Sequence, residues 1–181
     1  MTRSKVQRPK SKVQKSETVA YVALGSNLGD PVWNVLQAIE ALRQCSDSPL
    51  RKSSLWKTTP VDCPPGSPHF VNAVVALVPR AGETPESLLK KLQALEREFG
   101  RKPKNVLNEP RPLDLDLIAF GDKDRATQEL TLPHPRAHQR RFVLQPLAQI
   151  APELVLRGQR KTIAQLLDEL PPDEKILKLP P

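Results

Sequence analysis

Long apolar segments and cysteines are both scarce in this 181-residue sequence, which has only Cys45 and Cys63. No run approaches the roughly 20 apolar residues that span a bilayer, so a membrane protein is excluded. The two cysteines fit no spacing that is typical of zinc sites, and from the basic, apolar-poor N-terminus we expect no secretory signal. They therefore favour a reduced, cytoplasmic protein. A chain of this length can fold as one domain without disulfides or a structural metal.

Positive charge is concentrated at the N-terminus. Residues 1–18 contain six Lys and Arg and one acidic residue, which accounts for +5 of the net charge of +8. A basic stretch with few apolar residues cannot bury enough surface to order itself. We therefore predict a disordered tail at 1–17 and a single domain at 18–181. RNA binding by the tail is an alternative, but no aromatic stacking platform accompanies it.

Hydrophobic periodicity predicts strands and helices in the order β-α-β-β-α-β. The first two helices begin at Asp30-Pro31 and Thr84-Pro85, where a capping residue precedes proline. The predicted strands cover residues 18–24, 53–58, 70–78 and 113–120, and further helices are predicted at 140–150 and 164–170. This order predicts an α+β fold of the ferredoxin-like type, an antiparallel sheet with helices packed on one face and C-terminal helices added.

Two aspartates alternate with three leucines in the last predicted strand, LDLDL at 113–117. Side chains two positions apart on a strand point to the same face, so the leucines can enter the core while Asp114 and Asp116 share the other face. The two carboxylates then lie about 7 Å apart along the strand. Paired oxygen ligands of this kind suit Mg²⁺ when phosphate oxygens complete its octahedron. The alternative is an edge strand with a solvated acidic face.

The loop before this strand is rich in cations. Arg101, Lys102, Lys104 and Arg111 lie within eleven residues, directly before the two carboxylates. Permanently charged guanidinium groups balance the charge of a transferring phosphoryl group. The spacing therefore indicates a polyphosphate site, and a solvated surface loop is the alternative. No Walker A sequence is present.

Residues 108–118, NEPRPLDLDLI, resemble the signature of the 6-hydroxymethyl-7,8-dihydropterin pyrophosphokinases of folate biosynthesis. The segments 20–29, 53–60, 70–73 and 132–144 resemble other blocks of that family and occur in its order, so the resemblance covers roughly residues 19–157. It implies transfer of the terminal pyrophosphoryl group of ATP to the hydroxymethyl oxygen of the pterin, with release of AMP. An RNA-binding module is the second hypothesis, although the strands carry no RNP-type aromatic pattern.

The resemblance also implies roles for individual residues. Asp114 and Asp116 would hold two Mg²⁺ ions that bridge the ATP phosphates, and Arg101 and Arg111 would act on the transferred group. The implied pterin slot consists of Gly25, Thr58, Val61, Phe70, Asn72 and Phe142. The implied ATP-binding residues are Gln93, Glu96, Lys104, Leu117, Thr131, His134 and Arg140. The expected partners are these two small molecules, with no membrane, no specific nucleic acid and a monomeric state.

The chain departs from the family pattern in the loop at 101–112 and at Pro135. Some members have Trp-Gly where this chain has Asn108-Glu109, and some have tyrosine at the position of Pro135. Leu107 stands where members often have a cation. These departures predict different lid contacts and leave the expected reaction unchanged.

Overall fold

Residues 17–102, 109–172 and 175–180 are the parts of the chain that this computed structural model describes. They form an α+β fold with an antiparallel sheet and four α-helices. The helices are α1 Pro31–Leu42, α2 Pro85–Glu98, α3 Arg141–Ile150 and α4 Ile163–Glu169. The strands are β1 Ala20–Ser26, β2 Arg51–Lys52, β3 Trp56–Thr58, β4 Phe70–Leu77, β5 Asp114–Phe120, β6 Arg125–Ala126, β7 Thr131–Leu132 and β8 Ile176–Lys178. Residues 1–16 of the predicted tail lie outside this description.

The main sheet has the strand order β5-β1-β4-β3-β8, and β2 also pairs with β4. Every pairing between these strands is antiparallel. In β1, which lies between β5 and β4, Gly25 is opposite Asn72 of β4 and also opposite Asp114 of β5. The register therefore brings three segments that resemble family blocks into one row across the sheet.

The two faces of the sheet support separate hydrophobic cores. The apolar residues of α1 and α2 pack with Leu113, Leu115 and Leu117 on one face. The apolar residues of α3 and α4 pack with Tyr21 and Val74 on the other face. Because side chains alternate along a strand, Asp114 and Asp116 lie on the α3 face. The predicted separation of leucines and aspartates in β5 is confirmed.

The predicted helix starts are also confirmed. The Asp30 carboxylate accepts a hydrogen bond from the Trp33 backbone at 3.0 Å, and the Thr84 hydroxyl accepts one from the Ser87 backbone at 3.1 Å. A proline follows each cap, where its missing N–H group costs nothing. None of the helices in the described parts of the chain is both long enough and apolar enough to cross a membrane.

The strand predicted at 53–58 is too long, because only β3 at Trp56–Thr58 lies in that range and β2 ends before it at Lys52. The Ser53 hydroxyl accepts a hydrogen bond from the Val74 backbone at 3.0 Å and donates one to the Ser54 carbonyl at 2.8 Å. A serine side chain thus replaces a backbone group in the ladder and separates β2 from β3. The short strands β6, β7 and β8 were not predicted, since two or three residues carry too little periodicity to be recognised.

Candidate active site

A cleft of about 180 Å³ opens on the α3 face of the sheet, between the ends of β1, β4 and β5 and the start of α3. All six residues predicted to form the pterin slot line it, namely Gly25, Thr58, Val61, Phe70, Asn72 and Phe142. Arg111, Asp114, Asp116 and Arg140 line the same cleft. The structure therefore brings the predicted ring-binding and phosphate-binding groups into one space, while their contacts with a ligand stay predictions.

The Asn72 side chain is held in a fixed position within the cleft wall. Its amide nitrogen donates a hydrogen bond to the Thr58 hydroxyl at 2.8 Å, and both residues are buried. The opposite position on β1 is Gly25, where an added Cβ would lie 3.1 Å from the Asn72 carbonyl oxygen. Glycine at position 25 thus keeps this carbonyl oxygen accessible from the cleft.

Two arginines converge on the Asp114 carboxylate. Arg101 lies 2.8 Å from one carboxylate oxygen, and the Nε atom of Arg111 lies 3.3 Å from the other. The Arg111 guanidinium is also 6.0 Å from the centre of the Phe70 ring. The side chains of both arginines are more than four-fifths buried. The two guanidinium groups therefore meet at one carboxylate. Arg111 lines the cleft, whereas Arg101 lies outside its lining.

Glu96 links helix α2 to strand β5 beneath these arginines. Its carboxylate accepts a hydrogen bond from the Leu115 backbone at 2.7 Å and contacts Arg101. Burial raises the pKa of Glu96, and the Leu115 hydrogen bond and Arg101 oppose that effect. Glu96 therefore fixes Arg101 relative to the backbone of β5. Direct contact of Glu96 with ATP stays a prediction.

Asp116 lies between the acidic neighbour Asp114 and two basic groups. The nearest guanidinium nitrogen of Arg140 is 3.9 Å from its carboxylate, and that guanidinium is 5.5 Å from the centre of the Phe142 ring. Burial and then the Asp114 charge raise the pKa of Asp116. Burial lowers the pKa of His134, which the Asp116 charge opposes. A cation placed near Asp116 would therefore be bound favourably.

The two aspartates fit a magnesium ion that is shared with a phosphate ligand. No group of three or more His, Cys, Asp or Glu side chains is arranged to hold a metal within the described ranges. Mg²⁺ is typically bound through one or two carboxylates while phosphate oxygens and water complete its shell. Asp114 and Asp116, half-buried on one face of β5 and lining the cleft, supply that donor set.

The remaining predicted ATP residues lie apart from the cleft lining. Gln93 on α2 and Thr131 on β7 are exposed, and Lys104 lies outside the described residues. The Leu117 side chain is 3% exposed and packs in the α1–α2 core on the opposite face of the sheet. A contact between Leu117 and ATP would therefore be made by its backbone, and it stays a prediction.

Several residues that line the cleft were not predicted as site residues from the sequence, among them Thr59, Asp62, Cys63, Arg136 and Gln139. The Arg136 guanidinium lies 3.0 Å from the Asp62 carboxylate, which joins the loop between β3 and β4 to the segment before α3. No periodic signal relates two loop residues 74 positions apart. The available clue was that Arg136 lies inside the block at 132–144 and that Asp62 follows the block at 53–60 by two residues.

The comparison with protein families agrees with this arrangement. The sequence model of the 7,8-dihydro-6-hydroxymethylpterin-pyrophosphokinase family matches residues 21–152. This chain belongs to that family. The match includes the row Gly25, Asn72 and Asp114 as well as Arg140 and Phe142.

Curated members of the pyrophosphokinase family are similar over most of their length. The 2-amino-4-hydroxy-6-hydroxymethyldihydropteridine pyrophosphokinase of Haemophilus influenzae is 39% identical over 163 residues, which are 90% of this chain and 98% of the relative. The enzyme of the same name from Synechocystis sp. is 39% identical over 151 residues, or 83% of this chain and 75% of the relative. The comparisons give no support to the RNA-binding hypothesis.

Solved structures of pyrophosphokinase-family proteins share the fold. The wild-type HPPK-DHPS protein of Plasmodium falciparum, crystallised with pteroate, has a TM-score of 0.65 at 15% identity. The alignment covers 84% of this chain and 42% of that longer chain. At this identity the likeness concerns the fold alone.

Proposed function

We propose that this chain transfers the pyrophosphoryl group of ATP to the hydroxymethyl group of 6-hydroxymethyl-7,8-dihydropterin and releases AMP. The observation that carries the proposal is a single cleft that is lined by two aromatic rings and a fixed amide and by a cluster of carboxylates and arginines. Family membership supports the same reaction.

The apolar part of the cleft suits a flat heterocycle. Phe70 and Phe142 both line it, and aromatic faces stack favourably on planar rings. The buried Asn72 amide donates one N–H to the Thr58 hydroxyl, so its second N–H and its carbonyl oxygen can hydrogen-bond a ligand. An amide that presents both a donor and an acceptor matches the edge of a pterin ring, which has both kinds of group.

The charged part of the cleft suits a triphosphate. Arg101, Arg111 and Arg140 bring three guanidinium groups to the aspartate pair. Guanidinium groups bind phosphate oxygens through paired hydrogen bonds and keep their charge throughout a reaction. We propose that Arg101 and Arg111 contact the transferred group and that Arg140 and His134 hold the rest of the nucleotide.

Asp114 and Asp116 are the residues that would hold two Mg²⁺ ions. When bound, magnesium neutralises phosphate charge and aligns an in-line displacement. The hydroxymethyl oxygen forms a bond to the β-phosphorus of ATP while the bond from that phosphorus to the α–β bridging oxygen breaks. The bridging oxygen leaves with AMP, and the hydroxyl proton is released to solvent. The slot residues hold the pterin in line with this displacement.

The direct test of the proposal is AMP formation by the purified protein. We expect AMP only when ATP, Mg²⁺ and the hydroxymethyl-dihydropterin are all present, with one AMP formed for each pterin consumed. Reactions without the pterin are the control for contaminating hydrolysis. No AMP in the complete mixture would refute the proposed function.

Gly25→Ala tests the pterin slot. The added methyl group would lie 3.1 Å from the Asn72 carbonyl oxygen and 3.7 Å from the Phe70 ring. We expect the KM for the pterin to rise about 10-fold or more, because one extra methyl group in a fitted pocket has an effect of this order. The KM for ATP should change little. The melting temperature should fall only modestly, since alanine fits the extended backbone of β1 but the buried Asn72 oxygen must shift slightly. An unchanged pterin KM would place the pterin elsewhere.

We propose a ferredoxin-like classification of the fold, which the strand order β5-β1-β4-β3 with α1 and α2 on one face supports.

We also propose that the protein is a monomer and that it is located in the cytoplasm. Size-exclusion chromatography with light scattering would test the monomeric state, and the mass of a dimer would contradict it.

A further inference from the structure

Asn27 is a buried polar residue in the loop between β1 and α1, and it is 2% exposed. Its side-chain oxygen accepts a hydrogen bond from the Arg111 backbone N–H at 2.8 Å. Its own backbone N–H donates to the Arg111 carbonyl oxygen at 3.2 Å. One residue thus binds both polar backbone groups of Arg111, across 84 positions of sequence.

The other end of the same side chain contacts the opposite side of the cleft. The Asn27 amide nitrogen donates a hydrogen bond to the Pro68 carbonyl oxygen at 3.4 Å. Pro68 lies two residues before Phe70, which begins β4 and lines the cleft. Asn27 therefore connects the backbone of Arg111 to the loop that leads into Phe70.

Arg111 lacks the support of regular secondary structure, since residues 109–113 precede β5 as irregular chain. Its side chain nevertheless reaches a defined position, 3.3 Å from the Asp114 carboxylate and 6.0 Å from the centre of the Phe70 ring. A side chain can be held precisely only if its backbone is held. The two hydrogen bonds from Asn27 supply that support, and displacements of about 1 Å in such groups can cost about 100-fold in rate.

We propose that Asn27 is a positioning residue for pyrophosphoryl transfer, which fixes the Arg111 guanidinium relative to the pterin slot. The proposal rests on the proposed function. Asn27 does not line the cleft, so it acts through Arg111 and through the Pro68 loop. Its two contacts predict two separable effects, one on kcat through Arg111 and one on the pterin KM through Pro68.

The test compares two substitutions of Asn27 with a matched control. Asn27→Ala removes both side-chain hydrogen bonds, and we expect kcat to fall about 10- to 100-fold and the pterin KM to rise. Asn27→Asp keeps the acceptor for the Arg111 N–H but loses the donor to Pro68, so kcat should largely recover while the pterin KM stays high. Ser53→Ala is the control, because it removes a buried hydroxyl that bonds the Val74 backbone away from the cleft. It should lower stability without changing either constant.

A double-mutant cycle with Arg111→Ala separates positioning from general stability. Once the guanidinium is gone, Asn27→Ala should cause little further loss of kcat but should still raise the pterin KM. If the kcat loss in the double variant equals the product of the two single-variant losses, the two residues act independently and the proposal is overturned. An unchanged kcat in Asn27→Ala would also overturn it. If Asn27→Ala does not fold, Asn27→Asp carries the test, and a kcat for that variant near the level of Arg111→Ala would overturn it. AMP formation by the unaltered protein shows separately whether the proposed function holds.

Discussion

Asp116→Asn is expected to lower kcat about 100- to 1,000-fold while leaving the melting temperature unchanged or raised. The loss of rate follows from removing one of two carboxylates that face the charged part of the cleft. Electrostatic groups aimed at a reacting centre typically contribute an effect of this size. Asparagine has nearly the same shape as aspartate, so the packing of β5 is retained and the change is one of charge.

The stability of this variant follows from the shifted pKa of Asp116. Burial, followed by the Asp114 charge, raises the pKa of Asp116 in the folded protein. The folded state then holds this proton more tightly than the unfolded state, so ionised Asp116 destabilises the fold as pH rises above the ordinary aspartate pKa. Asparagine carries no charge at any pH, so the Asp116→Asn variant avoids this loss of folding stability. Arg140 at 3.9 Å offsets only part of it.

The measurement pairs steady-state kinetics with thermal unfolding in a chelator. Asp168→Asn is the matched control, because it makes the same chemical change at an exposed position on α4. It should alter neither kcat nor the melting temperature appreciably. A full rate in Asp116→Asn would remove this residue from the reaction, and a large drop in its melting temperature would mean that the charged form stabilises the fold.

Arg111→Ala is expected to lower kcat about 1,000-fold, with a smaller effect on the KM for ATP. An arginine that stabilises charge on a transferring phosphoryl group is worth about this much. Arg111→Lys should recover little of the rate, since an ammonium group lacks the planar fork that pairs with two phosphate oxygens. Lysine also loses the cation–π geometry over the Phe70 ring.

Arg157→Ala is the control for this second prediction. Arg157 forms an exposed ion pair with Asp124 at 3.2 Å, and pairs of this kind contribute little to stability. Its removal lowers the net charge by the same amount without touching the cleft. Equal losses of rate in the two variants would show that general electrostatic attraction of ATP explains the result. An active Arg111→Ala variant would contradict the role proposed for Arg111.

Local patterns in the sequence were enough to predict the acidic strand. The alternation of leucine and aspartate determines the two faces of β5, and burial of Leu113, Leu115 and Leu117 confirms it. The caps at Asp30 and Thr84 were predictable for a similar reason, since each depends on neighbours within four residues. Features that depend on short spacing can therefore be predicted from the amino-acid sequence alone.

Long-range contacts were not predictable in this way. From spacing alone Glu96 resembles a solvated helix residue, but the fold buries it against the Leu115 backbone. The sequence around Asn27 predicts a turn, and it does not indicate that the Asn27 side chain accepts a hydrogen bond from the distant Arg111 backbone. The Asp62–Arg136 pair likewise depends on two loops that meet above the sheet. The resemblance to the family supplied most cleft residues, whereas tertiary packing decides which of them touch one another.

A crystal structure with a non-hydrolysable ATP analogue, the hydroxymethyl-dihydropterin and Mg²⁺ would show whether one cleft holds both substrates and the metal. We expect the pterin between Phe70 and Phe142, with its edge hydrogen-bonded to Asn72. We also expect metal density between the phosphates and the carboxylates of Asp114 and Asp116. Phosphates bound away from these carboxylates, or a pterin outside this slot, would contradict the proposed reaction geometry.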